Sequence, residues 1–271
     1  MKGRVLIIAG SDSGGGAGIQ ADIKAVTALG GYAATAVTAI TVQNTLGVFG
    51  VHPIPLDIVR DQIRVVMDDI GADALKTGML ATVETVEAVV QAIDAYAQGV
   101  ALVVDPVMIA KGGHPLLEPR APETVRTLML PRAALVTPNA PEAEALTGIV
   151  VADLDGQKRA AEKLLVLGAK AALVKGGHVD GPTLRDVLAT PDGFTIFESH
   201  RIETRATHGT GCTLASAIAA KLAQGESLEE AVRAAREYLL EAIRRAPGFG
   251  AGHGPLDHGW PMRGWTTRER G

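Results

Sequence analysis

Thr207-His208-Gly209-Thr210-Gly211-Cys212-Thr213 holds the densest chemistry in the chain, and it runs straight into the Ala-rich stretch Thr213 to Ala223. A Gly-rich turn that opens a helix leaves backbone N–H groups unpaired with the helix dipole behind them, and together these attract an anion. Gly209, Thr210 and Gly211 therefore read as a cradle for a transferring phosphoryl group, whose charge spreads over several oxygens. Cys212 falls on the first turn of that helix, where the local field lowers a thiol pKa and makes the sulfur reactive. A lone cysteine is ordinarily an inert small hydrophobe; its position marks this one out.

A second Gly-rich segment, Ser11-Asp12-Ser13-Gly14-Gly15-Gly16-Ala17-Gly18, follows the first apolar run. Gly16-x-Gly18-x-x-Ala21 satisfies the loose dinucleotide fingerprint. That fold needs an acidic residue about 20 positions on to hold a ribose, and Gln43 and Asn44 stand there instead. Gly-Lys-Ser/Thr occurs nowhere, which excludes a P-loop. The segment reads as a substrate-approach loop, where missing side chains let a flat ring lie against backbone. Asn139 and Glu142 have the spacing of a capping box, and the same pair could hold waters of a phosphate-bound Mg²⁺. Asp105, before Pro106, could join that metal shell, and Lys175, before Gly176-Gly177, could act as a point charge on ATP phosphate. Alone, either would most often be a solvated surface charge.

These residues need a scaffold that brings them together. Short Val/Ile/Leu runs (Val5 to Ala9, Thr35 to Val42, Ala101 to Val104, Ala133 to Thr137, Ala171 to Lys175) alternate with stretches of helical period, including Ile19 to Leu29, Leu56 to Asp69 and a final helix Ser227 to Arg245. Strands that are nearly all apolar are buried on both faces, so a mostly parallel sheet between two helical layers is expected. Ligands bind beyond the carboxyl ends of such strands, where Gly10, Gln43, Lys76, Asp105, Asn139 and Lys175 all fall. At 271 residues, 47% of them hydrophobic, the chain suits one domain with a disordered tail from Arg263. A net charge of -4 offers no broad basic face for nucleic acid. No run is apolar enough to span a bilayer, and one cysteine cannot make an internal disulfide, so a cytoplasmic location is expected.

Taken in order over about residues 4 to 262, the segments Ala9 to Asp12, Gly18 to Asp22, Lys76 to Leu80, Asp105 to Met108, Thr137 to Asn139 with Glu142, Val174 to His178, Thr207 to Thr213 and Gly252 to Pro255 resemble hydroxymethylpyrimidine/phosphomethylpyrimidine kinase of thiamine biosynthesis. The resemblance implies the ribokinase-like α/β fold, a mostly parallel central sheet with helices on both faces. It further implies ATP and Mg²⁺ at the sheet's C-terminal edge, a monovalent cation as a further candidate, and a homodimer. It implies transfer of the ATP γ-phosphate to 4-amino-5-hydroxymethyl-2-methylpyrimidine and then to its monophosphate. Gln43 matches the pyrimidine-binding glutamine, while Gly10, Ala17, Asp22, Met79, Val107 and Cys212 match positions around the ring. Lys175, His208 and Asn139 fall to ATP, and Glu142 and Asp105 to the metal. Sugar kinases of the wider superfamily carry Asp where Cys212 stands, and Thr77 departs from an aliphatic position. A pyridoxal or pyridoxine kinase is the near alternative; a non-catalytic nucleotide-binding module and a dinucleotide oxidoreductase are the remote ones. Gln43 favours a pyrimidine, since one amide pairs with an amino group and a ring nitrogen at once.

Overall fold

The computed structural model describes residues 1–108, 118, 120–179 and 181–263. Strand β1 (Arg4–Asp12) is apolar through its middle, and its side chains divide by the period of two. Val5, Ile7 and Ala9 enter one hydrophobic cluster, Leu6 and Ile8 the other. Each of these larger side chains contributes roughly 1.5–3 kcal/mol by leaving water. Around β1 lie β2 (Tyr32–Gln43), β3 (Val48–Pro53), β4 (Ala74–Thr77), β5 (Ala101–Val104), β6 (Leu135–Val136), β7 (Ala172–Val174), β8 (Thr183–Thr190) and β9 (Gly193–His200). Their order in the sheet is β3-β2-β1-β4-β5-β6-β7-β8-β9. The strands from β2 across to β7 run parallel, and β3, β8 and β9 add antiparallel edges.

Helices cover both faces, as expected. On one lie α1 (Gly18–Ala28), α7 (Thr210–Ala223) and α8 (Leu228–Arg244); on the other α2 (Leu56–Asp69), α3 (Val83–Tyr96), α5 (Ala140–Thr147) and α6 (Leu154–Val166). The short α4 (Ala121–Thr124) leads into a widened turn before β6. Sequence signals account for the ends: Ser227 and Glu230 form a capping box on α8, and Gly148 closes α5 in the left-handed region. Helix α7 starts three residues before the expected Thr213, so Thr210, Gly211 and Cys212 form its first turn. Of the tail expected to be disordered, only Arg263 is among the described residues, and it pairs with Asp257. Among the described residues no helix is long and apolar enough to cross a membrane.

The chain leaves β1 toward β2 but leaves β4 toward β5, so the connections diverge beyond the carboxyl ends of these neighbours. A crevice at such a switch point is where an open parallel sheet binds ligands.

Candidate active site

One cavity of about 300 Å³ opens there, and the strand ends deliver to it the groups singled out above. Gly10 comes from β1, Gln43 from β2, Met79 from the turn after β4, and Asp105 and Val107 from the end of β5. Asn139 and Glu142 come from the start of α5, and Lys175 follows β7. Ala17 and the His208 to Cys212 turn close it from the α1 and α7 side.

The two Gly-rich segments interlock. Gly209 has φ 78, and a Cβ there would sit 1.8 Å from the carbonyl oxygen of Gly16. Gly18, at φ 54, lies so close to β1 that a Cβ would come within 2.4 Å of the Gly10 oxygen. Only glycine permits either approach. Asp12 ties the loop from within, its carboxylate accepting from the N–H groups of Gly14, Gly16 and Ala17 and lying 2.8 Å from His208 Nε2. Burial pushes the Asp12 pKa up, but His208 and these N–H groups outweigh it and hold the carboxyl below its usual range. The His208 side chain, expected on ATP, thus faces Asp12 and, at 3.4 Å, the Gln43 carboxamide.

Asp22, expected beside the ring, is fully buried and reaches the cavity only through its partner. Both its oxygens accept from Lys76 Nζ, at 2.8 and 3.0 Å, and Ser216 donates to it at 2.7 Å. Burial disfavours the Lys76 charge, yet Asp22 holds its pKa above the ordinary lysine range. Removing either partner would leave an uncompensated buried charge, costing roughly 3–5 kcal/mol. Lys76 lines the cavity beneath Cys212. The reactive thiol expected from the helix start is not what the interior produces: burial pushes the Cys212 pKa up to about 12, Asp22 and Asp105 add to the rise, and Lys76 only partly opposes it. Cys212 is half-buried in the cavity wall, and desolvation there together with two carboxylates outweighs the helix end.

On the opposite wall Lys175 Nζ donates to Asp105 at 3.2 Å, and Gly211 lies so near that a Cβ would be 3.2 Å from that nitrogen. Asn139 and Glu142 form the capping box, each side chain accepting the other's backbone N–H. Burial raises the Glu142 pKa to about 7, with Lys175 lowering it and Asp105 raising it. Two buried carboxylates beside one ammonium would suit a hydrated dication that neutralises phosphate charge. Among the described residues no group of three or more His, Cys, Asp or Glu could cage an ion outright; Asp105 and Glu142 are the carboxylates that would face Mg²⁺.

The model of the phosphomethylpyrimidine kinase family matches residues 12–257, which take in every site residue just described except Gly10. The chain belongs to that family. It is 46% identical over 256 residues to the hydroxymethylpyrimidine/phosphomethylpyrimidine kinase of Bacillus subtilis, covering 94% of each chain. It is 49% identical to the thiamine biosynthesis bifunctional protein ThiED of Geobacter sulfurreducens, using 95% of this chain but spanning only 52% of that protein. Among solved structures, Clostridium difficile phosphomethylpyrimidine kinase superposes with TM-score 0.80 at 44% identity, covering 89% of this chain and all of that one. An ADP complex of Bacillus subtilis pyridoxal kinase gives TM-score 0.89 at 37% identity, covering 97% and 99%. The α/β sheet with two helical layers is the ribokinase-like fold of these kinases. Within it, Thr77, the departure from the aliphatic pattern, buries a hydroxyl that has no partner among the described residues.

Three residues of the site carry no sequence motif that assigns them a role. Lys76 reads in the sequence only as a group beyond a strand's carboxyl end; it lies inside β4, fully buried, where a charge demands a partner. Asp12 and Thr41 join the site through bonds to His208 and Gln43, and no local pattern predicts those.

Proposed function

We propose that this protein is an ATP-dependent kinase that phosphorylates 4-amino-5-hydroxymethyl-2-methylpyrimidine and then its monophosphate, within a single ribokinase-like domain. One observation carries the reading: the N–H cradle at the start of α7, the Cys212 sulfur and the Gln43 carboxamide line one cavity. Gln43 reads the ring edge, with Gly10, Ala17, Met79 and Val107 around the ring. The hydroxymethyl oxygen attacks the γ-phosphorus, the bond to the β-phosphate oxygen breaks, and ADP leaves. Backbone N–H groups of Gly209 to Cys212 stabilise the charge on the transferring group. Lys175 and Asn139 position the polyphosphate. Asp105 and Glu142 would hold Mg²⁺, which when bound neutralises phosphate charge. The proton of the hydroxymethyl group passes to Cys212 Sγ. Because the thiol is protonated at rest, that transfer runs only through the small thiolate fraction, whose own proton has gone to solvent water, so the net contribution of the sulfur as a base is small.

The structural likeness to a pyridoxal kinase supports a second substrate of the same shape, a hydroxymethyl group beside a ring nitrogen. Exposed apolar side chains on β2 and β3 support a homodimer, and the lone cysteine suits a reducing, cytoplasmic setting. ADP release with the hydroxymethylpyrimidine, its monophosphate, pyridoxal and a pentose tests the assignment. Turnover of both pyrimidines is expected; turnover of pyridoxal or the pentose alone would overturn it.

A further inference from the structure

The oxygen and nitrogen of a carboxamide differ little in size, so the bonds around Gln43 decide which way its side chain faces. The Thr41 hydroxyl carries one proton. Its oxygen lies 2.9 Å from the Ser11 carbonyl oxygen and 3.0 Å from Gln43 Oε1. Both are acceptors, and one proton cannot serve the two. On the amide's other side, Gln43 Nε2 lies 3.4 Å from His208 Nε2, which in turn is 2.8 Å from Asp12 Oδ2. That oxygen already accepts from the N–H groups of Gly16 and Ala17, so it is an acceptor and the imidazole nitrogen carries the proton. Two N–H groups would then face each other.

A half-turn of the carboxamide removes both conflicts. The nitrogen then donates to Thr41 Oγ1, whose own proton goes to the Ser11 carbonyl, while the oxygen at 3.4 Å turns an attractive dipole toward the His208 N–H that donates to Asp12. Constraints from β2 and from the turn before α7 select the same orientation independently. We infer that Thr41 and His208, the latter held by Asp12, are positioning residues that lock the Gln43 carboxamide with its oxygen toward His208 and its nitrogen toward Thr41, and so set the ring edge the site accepts. The inference rests on the kinase reading proposed above. There the hydroxymethyl group must face the phosphoryl cradle, so the ring pose is fixed and its edge meets a fixed donor and acceptor. An amino group beside an unprotonated ring nitrogen presents one pattern; a ring carbonyl beside a ring N–H presents the inverse. A site built to pair with one pattern leaves its own groups unpaired against the other and rejects it.

The test compares kcat/KM for the 4-amino substrate with that for its 4-oxo analogue in wild type, Thr41→Val and Thr41→Ser. Valine keeps the shape and removes the acceptor; serine keeps the acceptor. The preference for the amino ring is expected to fall by about tenfold or more in Thr41→Val, to persist in Thr41→Ser, and to leave the ATP KM unmoved in both. In the ligand-free protein, the Gln43 amide protons are expected to show NMR cross-relaxation to Thr41 and not to the His208 ring. Cross-relaxation to the His208 ring instead, or an unchanged preference in Thr41→Val, overturns the lock. Should wild type phosphorylate neither pyrimidine, the kinase reading fails, and the NMR measurement still decides the orientation.

Discussion

Cys212 sits between opposed influences, and magnitude decides among them. A pKa near 12 means that only a small fraction is thiolate at pH 8, about one part in ten thousand by the titration equilibrium. Below that pKa the thiolate population grows tenfold per pH unit, so alkylation of the free enzyme by iodoacetamide should accelerate tenfold per unit through pH 9 with no plateau. A plateau near neutrality would mean a resting thiolate and restore the full general-base role. Since phosphoryl transfer through a loose transition state asks little of a base, and a thiolate population of about 10⁻⁴ offsets even a 10⁴-fold general-base gain, Cys212→Ala should lower kcat by less than about tenfold. Glu142→Gln offers a second residue-scale contrast. Glutamine still serves in the capping box, yet it attracts a hydrated dication less well, so the Mg²⁺ concentration for half-maximal rate should rise. The folded pKa of about 7 lies above the ordinary value of 4.5, so the folded state holds an extra proton in this interval. Its stabilising effect is fully present below the ordinary value and lost as pH rises through about 7. In metal-free buffer, Glu142→Gln should therefore raise Tm relative to wild type at pH 8 and not at pH 4. A lower Tm at pH 8 would show that the carboxylate is stabilising there.

The turn that opens α7 allows one element to be probed twice. Gly209 is held at positive φ against backbone, so Gly209→Ala meets both strain and the immovable Gly16 carbonyl. It should lower Tm and activity together. Gly211 has instead the flexible end of Lys175 as its neighbour, so Gly211→Ala should displace the ammonium, raising the ATP KM and lowering kcat with little change in Tm. Equal Tm losses in the two variants would contradict this division. Elements differ in the same way in how plainly the sequence announces them. The parallel core and the capped helices were legible, because burial on two faces leaves unbroken Val/Ile/Leu runs, and caps have fixed spacing. The edge hairpin of β8 and β9 was not singled out, although Pro191-Asp192-Gly193 between two alternating segments is a turn signal with a mechanism. Strand β3 was hidden by its exposed apolar residues, which follow no two-sided pattern. At the site, the strand-end and turn residues named from the sequence line one cavity, while Asp22 lies buried behind it and the His208 side chain turns to Asp12. What escaped was second-layer partnership: Asp12 meets His208 across 196 positions, and Asp22 meets Lys76 across 54.

At the scale of the whole molecule, the two edges of the sheet are finished differently. The β9 edge carries Thr195, Glu198, Ser199 and His200 beside the partly open Phe194 and Ile196, and the Arg185–Glu198 pair ties it to β8. The β3 side exposes Val42, Leu46 and Phe49 at 63%, 64% and 69%, with Ile40 and Val51 also open. An edge strand flanked by apolar side chains is a template for association; monomers usually blunt such edges with charge or proline, and β3 has only Pro53 at its end and no Lys, Arg, Asp or Glu. The segment after α8 reaches the same corner, where the His253 N–H donates to the Thr45 carbonyl at 2.8 Å and Phe249 stands exposed. The apolar surface is thus continuous with the turn between β2 and β3, whose first strand ends in Gln43. A dimer formed here would bury these side chains and stiffen the strand that carries the ring-reading amide. Phe49→Glu with Val42→Glu puts two charges into that contact, each expensive to bury unpaired. Analytical ultracentrifugation should report wild type at twice the mass of the chain and the double variant at the mass of one chain. Both positions are solvent-exposed in the single chain, so its far-UV circular dichroism should not change. Wild type sedimenting as a single chain at the concentrations used for assay would mean that this edge meets some other surface, or water.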